Sequence, residues 1–508
     1  MKRIFSITAI IASLMLFASC DNRDKVVYTI IIDDVYSCSY DEQVLSIDYN
    51  LPYTTDGATN ATATTNATWV EYIDTSESGK IKVSVSENEG ASRKASIRVS
   101  APGYATKTVT ISQTAKPGKT SQTLMFYFFG TSLDRYFKTN IQDASTAIAN
   151  GAIGTDNRVI YLKQRSKYEA GIYELCYDPA YEKCVERHIT DITFDGVHIT
   201  TEQIGKNIAL MADYAPADNY GIVFAGHGQG WIPREVLNGS SGISTLGATQ
   251  WWQPAAGAEV TRAFGENNVQ VNPSELAEGI EKSGIELDYI LFDACFMSNI
   301  ETLYDLRYAA NYIIASPCEI MGRGFPYHRT LPYLFADNDL QNNVIDAANS
   351  YYTFYRDEYI GNSRCGSVAV VNCNEIDMLA NATKAIAASQ QQYFREEMQT
   401  YERQSIHQFY DIGEWAEVSC SDNAAVEAFN AQFERTVVAK FSLPTFYSAY
   451  GAYGTYDIDL EIYSGVTTSA PCYDRNIMPA WPNTAWYRYV WPETTEEDIT
   501  ETEPASIE

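Results

Sequence analysis

The chain has 508 residues, 45% hydrophobic and 20% charged, which is enough for a sizeable core and more than one domain. Lys and Arg number 36 against 65 Asp and Glu, a net charge of −29 with no basic cluster, which argues against nucleic acid as a partner because such binding neutralises phosphates. A cationic peptide suits such a surface, and solubility alone accounts for the charge equally well.

Lys2 and Arg3 precede the apolar run Ile4 to Phe17, too short and wrongly flanked for a stable transmembrane helix, so residues 1–19 read as an export signal. Phe17-Ala18-Ser19-Cys20 resembles a bacterial lipobox, which makes Cys20 the lipidated first residue of the mature chain and residues 20–25 its tether. Phe17 stands where Leu is commoner, so cleavage by the ordinary secretory peptidase is the alternative. No later segment offers eighteen uninterrupted apolar residues. The expectation is a protein held by acyl chains at an outer membrane or cell surface.

Residues 26–116 carry short alternating runs, among them Ile81-Lys82-Val83-Ser84-Val85, Ala95 to Val99 and Thr108 to Ile111, which predict a small antiparallel β-sandwich. Thr54 to Thr68, rich in Thr, Asn and Ala, reads as a flexible loop. Trp69, Arg93 and the closing Ile111-Ser112-Gln113-Thr114-Ala115 resemble the BACON-type sandwich modules of gut bacterial surface proteins, a resemblance that implies a glycan partner. A spacer with Trp69 in its core is the competing reading. Pro117-Gly118-Lys119-Thr120-Ser121 reads as the linker.

From 122 to 492 strand and helix patterns alternate, which predicts an α/β domain. Leu124 to Phe129, Arg158 to Leu162, Gly221 to Ala225, Tyr289 to Phe292, Tyr312 to Ala315 and Ser367 to Val371 are apolar runs of buried-strand length. Leu133 to Ala149, Glu202 to Tyr214, Pro273 to Ser283 and Met297 to Ala309 have helical periodicity, 374 to 440 reads as mostly helical, and Asp457 to Tyr463 as a returning strand. The last residues, 493–508, are acidic without a base and read as a solvated tail.

Two reactive residues stand at strand ends. His227 follows Tyr220 to Ala225 in Gly226-His227-Gly228-Gln229-Gly230-Trp231, and Cys295 follows Leu287 to Phe292 in Asp293-Ala294-Cys295-Phe296-Met297. Parallel strands would bring both to the carboxyl edge of one sheet. There an imidazole can take the thiol proton and later protonate a departing amine. The Gly228 and Cys295 N-H groups are the candidates to face a developing oxyanion. His188, His198, His328 and His407 lack this setting.

These motifs resemble the clostripain family of cysteine peptidases, which share the caspase-like fold. Leu124 to Phe129 with Asp134 resembles the family's first strand and helix, and Ala315-Ser316, Glu319, Gly322 and Gly324-Phe325-Pro326-Tyr327 resemble the segment after the catalytic strand, so the likeness covers about residues 120 to 492. The resemblance implies a caspase-like mixed sheet flanked by helices, a Cys-His dyad and cleavage after Arg or Lys. Gln-Ala-Cys-x-Gly of caspases is absent, so preference for aspartate is not implied.

Asp293 lies two residues before Cys295 and on the same strand face, a placement suited to meeting the substrate's Arg or Lys cation; capping a helix that begins near Cys295 is the alternative. Glu319 is a second candidate for that cation. The Gly/Ser-rich insertion from Ile232 to Val271 holds only two bases, Arg234 and Arg262, and self-cleavage at Arg262 before Ala263 would fit a basic-specific peptidase. A plain surface insertion fits as well. Cys176 and Cys184 flank the turn Asp178 to Tyr181 symmetrically, a placement that suits a disulfide across a hairpin. No Cys or His spacing points to zinc, and no cofactor is expected. A non-catalytic surface lipoprotein that binds glycans is the competing function; the intact His227 and Cys295 motifs favour the enzyme.

Overall fold

In the computed structural model the chain divides into two compact units, residues 1–116 and 117–508. The structure describes residues 27–491 except 53–59, 91, 117, 180–181, 195–198, 238–254, 264–269, 394–396, 404–405, 451–452 and 471–476. Cys20 with the export signal, His198 and the acidic tail lie outside the described residues. Among the described residues no helix is long and apolar enough to cross a membrane.

The N-terminal unit pairs Val35–Cys38, Lys107–Gln113, Arg93–Ser100 and Thr62–Thr64 in one sheet, in that order, and Gln43–Asp48, Lys80–Val85 and Val70–Asp74 in another. Alternation sends Ile81, Val83, Ile97, Val99, Val109 and Ile111 inward to a shared core. Two expectations are corrected. Val35–Cys38 pairs parallel to Lys107–Gln113, so the sandwich is not wholly antiparallel. Thr62–Thr64, placed in a loop by its composition, pairs with Arg93–Ser100; threonine suits an edge strand as well as a loop. Trp69 is half-buried against the core with the Arg93 guanidinium 4.6 Å from its ring centroid.

The second unit is built on nine strands: β1 (Thr120–Phe128), β2 (Asn157–Ser166), β3 (Glu169–Asp178), β4 (Lys183–Thr193), β5 (Ala217–Ala225), β6 (Tyr289–Asp293), β7 (Tyr312–Ala315), β8 (Ser367–Asn372) and β9 (Val437–Ser442). They lie in the order β4-β3-β2-β1-β5-β6-β7-β8-β9. The central five, β2 to β7 in that order, run parallel, and both flanks are antiparallel. All of β6 is buried, as a continuous apolar run covered on both faces requires. Helices Asp134–Ala149, Tyr327–Leu334 and Leu340–Glu358 pack as one group, and Thr201–Tyr214, Pro273–Ser283, Ile300–Asp305 and Ile376–Ala388 as another. Local chemistry sets their ends: Asn272 and Glu275 form a capping box before Pro273, and Gly284 closes that helix at φ 68°.

Departures from the sequence reading have local causes. β1 starts at Thr120, inside the expected linker, because Thr120 already pairs with Ala217. The expected Met297–Ala309 helix is only Ile300–Asp305, started by Asn299, whose side chain accepts from the Thr302 N-H. β9 occupies the end of a stretch read as helical; Val437, Val438 and Phe441 favour a strand once β8 offers an edge. Asp457–Tyr463 is not a strand: Gly454–Asp457 is, and Asp459 then accepts from the Glu461 N-H in a turn. Register also overturns the disulfide. Cys176 lies opposite Val185 and Cys184 opposite Tyr177, one residue out of direct opposition, and both thiols are free.

Candidate active site

β5 and β6 are parallel neighbours with Ala225 opposite Asp293, so the His227 and Cys295 turns leave the sheet at one edge. A methyl group on Gly228 would come within 2.1 Å of the Cys295 carbonyl oxygen, so only glycine permits this approach. Phe296 takes a left-handed φ of 59°, a costly conformation for a non-glycine residue, held by its ring stacked at 4.7 Å on Phe409. His227 Nε2 lies 2.9 Å from Ser132 Oγ, at the start of the helix after β1. His227 also lines a small cavity of about 60 Å³ with Phe129, Phe224, Gln270, Leu276 and Met297.

Cys295 is fully buried, and its sulfur accepts the Ile320 N-H at 3.0 Å. Burial, and after it the nearby Glu319 charge, pushes the thiol well above its usual range, so it is protonated in this state. The cover over it is the chain's own segment Val260 to Ala263.

That segment runs beside residues 320–322 with a bend at Arg262. Arg262 donates its N-H to the Ile320 carbonyl at 2.8 Å, Gly322 donates to the Val260 carbonyl at 2.6 Å, and Thr261 bridges antiparallel to Met321. The Arg262 carbonyl oxygen accepts from the Gly228 N-H at 2.8 Å and the Cys295 N-H at 3.2 Å. The two donors singled out in the sequence thus converge on one oxygen. Tyr450 donates its hydroxyl to the next carbonyl, that of Ala263, at 3.1 Å.

The Arg262 side chain is fully buried. Its five N-H groups meet the Asp293 carboxylate at 2.8 Å, the Asp293 carbonyl at 3.0 Å, Asn140 Oδ1 at 2.7 Å, and the Gly322 and Arg323 carbonyls at 3.2 and 3.4 Å. Asp293 also accepts from the Tyr327 hydroxyl at 2.8 Å and the Phe325 N-H at 3.3 Å. Burial pushes its carboxyl up, and the Arg262 guanidinium leads the groups that pull it back. A side chain on Gly324 would come within 2.4 Å of both the guanidinium and the Asp293 carboxylate. Asp293 does not cap a helix, since the next one begins at Ile300.

Glu319 lies apart from the guanidinium and accepts instead from the Thr261 hydroxyl at 2.6 Å, the Ser448 hydroxyl at 2.8 Å and the Ala449 N-H at 3.0 Å. Arg234 is also elsewhere, paired with Glu275 at the entrance of the Pro273–Ser283 helix. Among the described residues no three of His, Cys, Asp and Glu converge as metal ligands would.

The clostripain family model matches residues 131–440. The chain belongs to the clostripain family. As a member it is a cysteine peptidase with a caspase-like α/β fold. A model described as a putative binding domain, N-terminal, and named BACON matches residues 59–114. Among solved structures the chain resembles a secreted C11 cysteine protease from Bacteroides thetaiotaomicron called iotapain, with 29% identity over 74% of this chain and 100% of that one, at a TM-score of 0.63. An inactive zymogen C11 protease from Parabacteroides distasonis is 22% identical over 74% and 99% of the two chains, at a TM-score of 0.59. Another secreted C11 protease from Bacteroides thetaiotaomicron, bound to an irreversible peptide inhibitor, is 22% identical over 73% and 98%, also at 0.59. No curated protein matches the chain.

Ser132, Asn140 and Tyr450 surround this clostripain-family site without a motif to announce them. Asn140 carried one usable signal: it sits on the apolar face of its helix with Phe137, Ala144 and Ala147, where an amide needs a buried partner. Ser132 and Tyr450 lie in irregular segments, where periodicity says nothing.

Proposed function

We propose that this clostripain-family peptidase cuts after arginine through Cys295 and His227, and that the uncleaved chain is a latent form whose first substrate is its own Arg262-Ala263 bond. One observation carries the reading: the Arg262 carbonyl accepts from the Gly228 and Cys295 N-H groups while its guanidinium rests on Asp293.

The chemistry follows from this placement. The Cys295 thiol gives its proton to His227, and the sulfur adds to the Arg262 carbonyl carbon. The oxygen that becomes negative already faces two N-H donors, so little rearrangement is needed to stabilise it. His227 returns the proton to the Ala263 nitrogen as the carbon-nitrogen bond breaks, leaving an acyl-enzyme at Arg262. Water then hydrolyses the thioester. Ser132, held to one ring nitrogen of His227, orients the imidazole.

Departure of the cut segment would open the same groove to other chains. Five acceptors around the guanidinium favour arginine over lysine, whose ammonium has three donors. Export, with anchoring through Cys20 in an outer membrane or cell surface, rests on the sequence of the first twenty residues. For the N-terminal unit we favour a spacer over a glycan-binding module, because Arg93 covers one face of Trp69 and the core covers much of the rest.

The test compares purified wild-type and Cys295→Ala chains. Wild type should release a fragment beginning at Ala263 and hydrolyse peptides ending in Arg, while Cys295→Ala should do neither. A wild-type enzyme that preferred an acidic or apolar residue before the cut would overturn the reading.

A further inference from the structure

Resting on that reading, we infer that Glu319 forms a second specificity subsite, which selects a hydroxyl-bearing residue, threonine or serine, immediately before the arginine. The Thr261 hydroxyl donates to Glu319 Oε2 at 2.6 Å, and the carboxylate is only 4% exposed. Its other donors, the Ser448 hydroxyl and the Ala449 N-H, come from the end of the strand Thr445–Ser448 and the residue after it, apart from the Thr261 segment. The subsite is therefore a fixed acceptor with one side facing the bound chain. Thr261 is placed there by main-chain pairing of its neighbours, Val260 with Gly322 and Arg262 with Ile320, so a foreign peptide held by the same pairing would set its own residue against Glu319.

A buried acceptor discriminates by what it loses. Valine fills the volume of threonine but replaces the hydroxyl with a methyl group, leaving Oε2 short of its shortest hydrogen bond away from water. An acidic residue would add like charge. Burial also pushes the Glu319 carboxyl up to about 7, so near neutral pH it is an indifferent partner for a cation but a good one for a hydroxyl.

The experiment measures kcat/KM of the self-cleaved full chain on peptides ending in Arg and differing only at the preceding residue: Thr, Ser, Val, Ala, Lys or Glu. The expected Thr-to-Val ratio is about 10 to 100. It should collapse toward 1 in Glu319→Ala and survive in part in Glu319→Gln, whose amide can still bond a hydroxyl. Because each ratio is taken within one protein, a general loss of activity does not disturb it, and the wild-type panel decides even where a variant fails to fold. Arginine-dependent hydrolysis with equal rates for Thr and Val would overturn the subsite and leave the proposed function standing, as would a preference for Lys. Absence of hydrolysis after Arg in every peptide would overturn both.

Discussion

The guanidinium of Arg262 and the carboxylate of Asp293 meet at 2.8 Å with neither side chain exposed to solvent. A buried ion pair seldom adds net stability, because desolvating two charges offsets their attraction. Asp293 stands two residues before Cys295, where, in the proposed function, the same carboxylate would receive a substrate's cation once Arg262 had left. Asp293→Asn should therefore cost roughly 2 to 5 kcal/mol of discrimination for Arg peptides over neutral ones, seen in kcat/KM. A uniform fall on all peptides would mean that Asp293 only holds Tyr327 and Phe325 in place.

Cys295 and His227 should each be indispensable. Alanine at either should lower turnover by at least about 10⁴-fold with the fold intact by circular dichroism, while alanine at His188, His328 or His407 should leave it nearly unchanged. If Ser132 acts only by orienting the His227 ring, from which it lies 2.9 Å, Ser132→Ala should lower kcat by about tenfold with little change in KM.

Thiol labelling should report latency. In the uncleaved chain Cys295 is buried and protonated, whereas Cys176 and Cys184 are half-buried, so an alkylating agent should modify that pair first. After self-cleavage Cys295 should become the faster site, as read by peptide mass mapping. Early labelling of Cys295 in an uncleaved Arg262→Ala chain would only restate that the cover had loosened; early labelling in the uncleaved wild type would count against a closed latent form.

Arginine should be preferred to lysine at the cut. Arg262→Lys should still allow self-cleavage but slow it by about 10 to 100-fold, because three donors cannot serve five acceptors. Band conversion over time on a denaturing gel measures it. Equal rates would mean that the carbonyls of Gly322 and Arg323 do not contribute to selection.

Stability of the uncleaved chain should depend on Glu319. Burial raises its carboxyl from 4.5 to about 7, so between those values the folded chain holds a proton that the unfolded chain has released. Its contribution to stability is therefore fully present below 4.5 and falls as pH rises toward 7, by up to roughly 3 kcal/mol. In a Cys295→Ala background, which prevents cleavage, Glu319→Gln should flatten that part of the urea-unfolding profile. An unchanged slope would show that Glu319 ionises in the native state at its ordinary pH.

The legible parts of this molecule were those where one local rule dominates. Tyr312–Ala315 and Pro273–Ser283 have the bounds expected from the sequence, the first from a covered apolar run and the second from its cap, proline and glycine. Where pairing with distant strands decides, local pattern failed: Val437–Ser442 became a strand because β8 had a free edge, and Thr62–Thr64 because Arg93–Ser100 did. The site divides the same way. His227, Cys295 and Asp293 follow directly from strand ends, but the ring of acceptors around Arg262 is assembled from residues as far apart as Asn140 and Arg323. Arg262 was visible only as one of two bases in a long insertion.

Three of the five acceptors that hold Arg262 are main-chain carbonyls, from Gly322, Arg323 and Asp293 itself. Substitution cannot remove a carbonyl, so this pocket resists conversion by point mutation. Replacing Asp293 with a base would still leave an incoming carboxylate facing three oxygen dipoles of the wrong sign. Redirecting the enzyme toward acidic residues would require re-routing the loop from Gly322 to Gly324. On the subsite proposed above, descendants of this scaffold should instead diversify at the neighbouring Glu319, where a single side chain would set the preference.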